Sequence, residues 1–378
     1  MKWRVVVILI LLALLLIPSV AHADVLTDLE DNVEESLDNI DFSEVDSVAS
    51  GFIGSVLEKV RSIINGEFDS AESFWKMLGQ MFSEGVGELL PQLVAITIVL
   101  VILGLIRRTS GGLISESTDS VVSFVGVTVV LLAVLSLIVG LYREVYDVLF
   151  QVATLSEVSS PILLTLLIAN GGNALSSVCQ PSMVMFSTVV IAVIRNVVLP
   201  LSIFALIFAV VSNISSNVKV GKMSTFLTNA SGWVLGIVFM LFSAFTSVQG
   251  ITAASIDGVS YRAAKFATKS YIPILGGYLA EGFDVVVAST TLIKNAFGAV
   301  TLLVLLLAIV KPLVSILCVN LGLQAVAAVC EPIVDDKYVK MLGGISKTLT
   351  FLSVLIIATA FMFCILVLIA ISCANGVF

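Results

Sequence analysis

Two cations stand inside long apolar runs of this chain, and an amide follows each: Arg195-Asn196 and Lys294-Asn295. A charge at bilayer depth is costly unless it pairs, faces a cavity or snorkels, so both are candidates for a polar path, and equally for a structural pair. Each comes after a Ser-Thr pair, Ser187-Thr188 and Ser289-Thr290. Further upstream, Ser160-Pro161-Ile162-Leu163 and Ile272-Pro273-Ile274-Leu275 each precede a Gly-Gly pair. The order suggests a degenerate internal repeat of the kind transporters use, although the spacings differ. Lys294 with a serine would make a formal hydrolase dyad, but no serine is singled out as the nucleophile. Other chemistry is scarce. His22 is the one histidine, and no GxxxxGK[ST] phosphate loop occurs. Cys179, Cys318, Cys330, Cys364 and Cys373 form no CxxC and read as small packing residues. The expectation is a protein that is not an enzyme, with no catalytic residue, cofactor or metal.

A third candidate is the stretch 246–284. Ile256, Val259, Ala263, Phe266 and Ala267 share one helical face, and Arg262, Lys265 and Lys269 cluster opposite. Pro273 and Gly276-Gly277 are expected to end that helix. A basic amphipathic helix between apolar runs can lie on the bilayer, dock a partner or line a polar cavity; a solvated connector is the plain alternative.

What must position these residues is a membrane protein. Mean hydropathy is +1.13, with 58 % hydrophobic and only 12 % charged residues. Several runs reach the ~20 residues that cross a bilayer. The net charge of −8 is uneven: residues 24–90 carry 16 acids and 3 bases, net −13, and residues 91–378 carry 14 bases and 11 acids, net +3. Lys2 and Arg4, the apolar run 5–17, Pro18 and Ala21-His22-Ala23 read as an export signal over 1–23, with a retained anchor as the other reading. Cleavage would leave the mature chain without histidine. The signal places the acidic segment 24–88 outside the cytoplasm. Its apolar residues recur at helical spacing in three stretches, beginning at Leu26, Phe52 and Phe74, with Ser43 a possible helix cap. Three short helices with no large core of their own must pack on their own chain or on a partner.

The membrane domain covers 89–378. Runs 89–106, 121–141, 226–245, 285–310, 313–329 and 348–373 each read as a span, and 161–211 holds two or three. Prolines 161, 181, 200, 273 and 312 are expected to break helices. Arg107-Arg108 marks the cytoplasmic side. If 161–211 crosses twice, lysine and arginine divide eight inside to four outside, which favours eight spans and a cytoplasmic central helix. The fold class expected is all-α: a polytopic transmembrane bundle of about seven or eight spans, some broken, with a short extracytoplasmic helical segment.

The central run resembles a known family. Ser247-Val248-Gln249-Gly250, Ala253-Ala254, Asp257-Gly258-Val259, Ala263-Ala264-Lys265-Phe266-Ala267, Ile272-Pro273-Ile274, Gly276-Gly277 and Leu292-Ile293-Lys294-Asn295 are similar to the stage III sporulation protein AE family. That resemblance implies a subunit of the channel complex joining mother cell and forespore, in the mother-cell membrane around the forespore. The partners it implies are a cytoplasmic ATPase, small membrane proteins and intermembrane ring proteins, with membrane lipid and without nucleic acid. It implies a permease-like core or platform and carries over no catalytic residue. A non-conducting scaffold and a stand-alone small-solute transporter are the other expectations. The pathway or partner-contact candidates are Arg195, Asp257, Arg262, Lys265, Lys269, Pro273, Gly276, Gly277, Lys294 and Asn295.

Overall fold

The computed structural model of the chain describes residues 27–38, 40–65, 71–110, 116–170, 173–214, 220–271 and 276–372, all helix or short connections. The export signal and Pro273 lie outside these residues. Three short helices come first: α1 (Thr27–Asp38), α2 (Ser43–Ile53) and α3 (Val56–Ile64). Then come α4 (Ala71–Ser110), α5 (Glu116–Ala169) and α6 (Asn173–Val184). A π-helical turn (Met185–Val190), three α-helical residues and a second π segment (Ile194–Val198) join α6 to α7 (Leu199–Ile214). The chain finishes with α8 (Gly221–Tyr271), α9 (Gly276–Cys330) and α10 (Asp336–Ser372).

Two of the three expected N-terminal helices form as separate elements. The run after Phe52 divides at Gly54, whose φ of 70° suits a residue without Cβ, and its second part is α3. Asp46 Oδ1 accepts from the Val56 N–H at 2.6 Å, closing the start of α3. Ser43 is not the cap of α2 but its first residue: its N–H donates to Asp41 Oδ1 at 2.9 Å in a turn just before the helix, and the cap position is Phe42. The Ser43 hydroxyl and N–H hold the Asp41 carboxyl below its usual range. Arg61 ties α3 to α1 through Glu34 and Asp38, at 2.7 and 3.1 Å. The stretch after Phe74 is no separate helix: it runs on through Pro91 as the first part of α4.

Among the described residues six helices are long and apolar enough to cross a membrane: Gly85–Ile106, Phe124–Ala169, Gln180–Ser212, Gly221–Ser247, Val285–Cys330 and Asp336–Ile371. That is near the expected number, and the difference has a local cause. The helix does not break at Pro161 or Pro312, so 161–169 prolongs α5 and 313–329 prolongs α9. Pro312 is buried among its neighbours, Pro161 is exposed, and the helix continues through both. Pro181 also sits inside a helix. Before Pro200 the coil widens to the π form over Ile194–Val198, which relieves the clash of the ring with the preceding turn.

Side-chain contacts fix the directions. Arg195 meets Tyr146 while Ser202 accepts from Tyr142, so the α6–α7 rod runs antiparallel to α5. The Phe186 ring meets that of Phe242 at a tilt, with centroids 5.7 Å apart, and Ser212 lies beside Gly221, so α8 turns back along α6–α7. Asn320 bonds Thr350 and Gln324 bonds Ser346, placing α10 antiparallel to α9. Phe351 lies by Gly232 and Phe361 by Phe239, so α8 and α10 are parallel. Val314 faces Gly85, Leu93 faces Gly322 and Ile333 faces Gly104, so α4 runs parallel to α9. The six rods therefore alternate up and down. The C-terminus of α4 and the N-termini of α5, α8 and α10 share one end of the bundle; Asn170 and Thr290 meet toward the other.

Candidate functional site

Lys294 is the most deeply placed charge among the described residues, with 0 % of its surface exposed. It sits one turn after Thr290 and one turn before Gly298, so the three share a face of α9. At Gly298 the Ile371 side chain fills the space a Cβ would take, which brings α9 and α10 close. Lys294 Nζ donates to the Ile371 carbonyl at 2.9 Å. Ile371 is in the last turn of α10, where carbonyls lack intrahelical donors and the helix dipole is negative. A cation is suited to that point, and Ile371 O is among its partners. On the same face Thr290 Oγ1 donates to Asn170 Oδ1 at the end of α5. Through Lys294 and Thr290 this face of α9 is bonded to the ends of α10 and α5. The next residue differs: Asn295 Oδ1 and, one turn earlier, Thr291 Oγ1 are buried with no hydrogen-bond partner among the described residues.

Arg195 belongs to another place. It projects from the second π segment toward α5, with its guanidinium 4.1 Å from the centre of the Tyr146 ring and 5.6 Å from that of Phe150. It also donates to Tyr146 Oη. Both rings are on the outside of the bundle, so the arginine is held at the surface by cation–π contact. Arg195 and Lys294 share no partner among these contacts and do not form one site.

The basic stretch is the second half of α8, continuous with the crossing Gly221–Ser247. Asp257, Arg262, Lys265 and Lys269 lie on it, and their side chains fall outside the described residues. Phe266, on the apolar face of that helix, is 70 % exposed. Gly276 and Gly277 start α9 instead of standing in a turn. Because α8 starts at the end of the bundle where α4 finishes and runs away from it, Arg262, Lys265 and Lys269 lie beyond the opposite end from Arg107-Arg108. This reverses the sidedness expected for an eight-span chain. A cysteine at Ser260, with the five native cysteines replaced, is expected to react with a membrane-impermeant maleimide in intact cells. Labelling that needs lysis would refute this assignment.

Two polar clusters had no counterpart in the reading of the sequence. Asn320 Nδ2 donates to Thr350 Oγ1 at 3.0 Å, and Gln324 Nε2 donates to Ser346 Oγ at 2.7 Å and to Asn320 Oδ1 at 2.8 Å. Each pair of residues is spaced by four, which was a signal available in the apolar runs. Such a network pins α9 to α10 where water is absent. Beside it, Lys347 with Ser212, Ser224, Thr225, Thr228 and Thr348 lines a cleft of about 140 Å³ between α7, α8 and α10. That is well below the ~300 Å³ at which ligand pockets begin. Among the described residues no cluster of histidine, cysteine or carboxylates has the makings of a metal site, and Cys318, Cys330 and Cys364 are buried thiols.

Comparison with known proteins adds the relationship that the geometry alone does not give. The family model described as stage III sporulation protein AE matches residues 55–374. Stage III sporulation protein AE of Bacillus subtilis (strain 168) is 26 % identical over 328 residues, covering 85 % of this chain and 80 % of that protein. No solved structure matches. The match begins at the start of α3, so α1 and α2 lie outside it.

Proposed function

Because the chain belongs to the stage III sporulation protein AE family, we propose that this multi-pass membrane protein is a non-enzymatic subunit of the channel complex between mother cell and forespore. Its place is the mother-cell membrane around the forespore, and its role is that of a platform. The observation that carries the choice of platform is the packing along α9. Of residues 301–310 only Leu303 escapes full burial, and apolar neighbours from α5 and α10 fill the space around them. The packing continues through Leu313, Ile316, Val319, Leu323 and Val326, so a single copy has a solid interior along α9 where a permease would need a path. Passage through the complex then runs between chains, with energy from the ATPase partner and with the small membrane and ring proteins as the other walls.

A permease-like core is the second reading, favoured by one observation: the unpartnered Thr291 and Asn295 oxygens call for water or a polar solute beside α9. One experiment separates them. The purified chain, reconstituted alone in liposomes, is expected to release a trapped small dye and potassium no faster than empty liposomes. Release several-fold above that background would overturn the platform and support the core.

A further inference from the structure

By hydropathy 285–310 is as good a crossing as any in the chain, yet what packs on it is not lipid. The Phe42 ring, at the entrance to α2, meets Phe297 of α9 with centroids 5.7 Å apart. Val33, Leu37, Val45, Val56 and Val60 of α1–α3 are buried in the same core. The outward surfaces of these helices carry Glu34, Glu35, Asp38, Glu44 and Glu58, and none of these acids is buried. Hydrocarbon does not accept such a surface. The level of Phe297 is therefore outside the bilayer, and the apolar residues there are the core of an extramembrane bundle.

The outer face of α5 marks where the change occurs. Phe124, Val125, Val129, Leu132, Leu135 and Val139 are exposed, and Ser136 is the one exposed polar side chain among them. From Arg143 the exposed positions are mixed and include charges: Arg143, Tyr146, Asp147, Phe150, Glu157, Pro161, Thr165, Ile168 and Ala169. Charges on two neighbouring rods stand at the same height. Gly126 of α5 lies against Leu103 of α4. Eighteen residues along each antiparallel helix, about 27 Å at ~1.5 Å per residue, bring Glu144 level with Gly85. Val314 of α9 faces Gly85, and the exposed Lys311 is one turn away. Arg195 meets the same level through Tyr146. Arg143, Asp147, Arg195 and Lys311 form a charged girdle on the side made by α5, the α6–α7 rod and α9, with an aromatic ring at the arginine, as at a membrane–water boundary.

We propose that the bilayer encloses only the half of the bundle that α4 accompanies, from this girdle to the end bearing Arg107-Arg108. The other half, built on 143–169 and 285–310, stands outside the membrane as a stalk with α9 at its centre and α1–α3 as its cladding. The span Gly85–Ile106 has 22 residues, about 33 Å of helix at ~1.5 Å per residue, which matches one hydrocarbon core. The stalk adds roughly 39 Å by the same rise. This goes beyond the platform reading and does not depend on it.

The test uses single cysteines at Glu157, Thr165 and Leu132 in the full chain with its native cysteines replaced. An impermeant maleimide is applied to intact cells and to inverted vesicles. The expected result is labelling at Glu157 and Thr165 from one side, and none at Leu132 from either side until detergent is added. Protection of Glu157 and Thr165 from both sides would overturn the proposal, because the 143–169 face would then be in lipid. A second measurement keeps the native cysteines: Thr165→Lys is expected to leave the membrane-assembled protein at the wild-type amount, and Leu132→Lys to reduce it several-fold. Equal loss in both variants would also overturn it.

Discussion

Lys294→Glu is expected to be the most damaging single charge change in this protein. It places an anion against the carbonyl end of α10, where Lys294 Nζ now donates to Ile371 at 2.9 Å. Breaking a buried charged contact typically costs about 3–5 kcal/mol, and here like charge is added at the negative end of a helix dipole. Lys294→Met keeps most of the volume and removes the charge with its desolvation cost. It loses one charge-assisted hydrogen bond, about 1.5–3 kcal/mol. Thermal unfolding of the detergent-solubilised protein should then order the variants wild type, methionine, glutamate, with the last lowered by at least ~5 °C. Coincident melting of Lys294→Glu and wild type would mean that the link between α9 and α10 carries no weight. The same pair bears on function: Lys294→Met retains the close approach at Gly298, so loss of sporulation with normal protein level would point to a polar role beyond assembly.

Gly104→Ala should cost about 1–3 kcal/mol although it adds one methyl group, and Gly104→Val more. A Cβ at Gly104 would stand 2.7 Å from the Ile333 carbonyl oxygen and 3.1 Å from its carbon. Those are backbone atoms in the turn between α9 and α10, and they cannot rotate aside. One residue position away in space, Leu103 meets Gly126, so α4, α5 and that turn are locked at a common corner. Gly140→Ala is the internal comparison: nothing lies within 4 Å of its Cβ position. There the gain in helix propensity, up to ~1 kcal/mol, should leave the melting temperature unchanged or raised. If Gly104→Ala melts at or above wild type, the corner is looser than its geometry indicates.

Much of the architecture was written in local pattern. Composition gave an all-α membrane bundle, and spacing gave α1, α3 and the amphipathic end of α8. The runs 89–106, 226–245 and 348–373 overlap the apolar helices Gly85–Ile106, Gly221–Ser247 and Asp336–Ile371, whereas 121–141 and 285–310 are parts of helices of 46 residues each. What was not legible came from contacts distant in the sequence. Apolarity alone cannot separate a helix in lipid from a helix inside other protein, so 285–310 read as an ordinary span; only the acidic helices around Phe297 tell otherwise. Prolines 161 and 312 looked like breaks because the proline rule is local, yet α5 and α9 run on through them. Lys294 was visible as an anomaly, but its acceptor on Ile371 is 77 residues away. Ser43 is not the cap of α2 for a smaller reason: the helix begins at Ser43 itself, and Asp41 two residues earlier takes its N–H.

The cladding of α9 by α1–α3 also sets a clock. Phe42 is synthesised 255 residues before its partner Phe297 (297 − 42). At ~5–20 residues per second, that is roughly 13–50 s during which the inner faces of α1–α3 have no core to join. Three helices of 12, 11 and 9 residues are too short to bury those faces among themselves. The excess of acid in 24–90, net −13, keeps unfinished chains apart by mutual repulsion through that interval. The acidity that looks like a surface property of the finished protein is, on this account, first of all a safeguard of the nascent one.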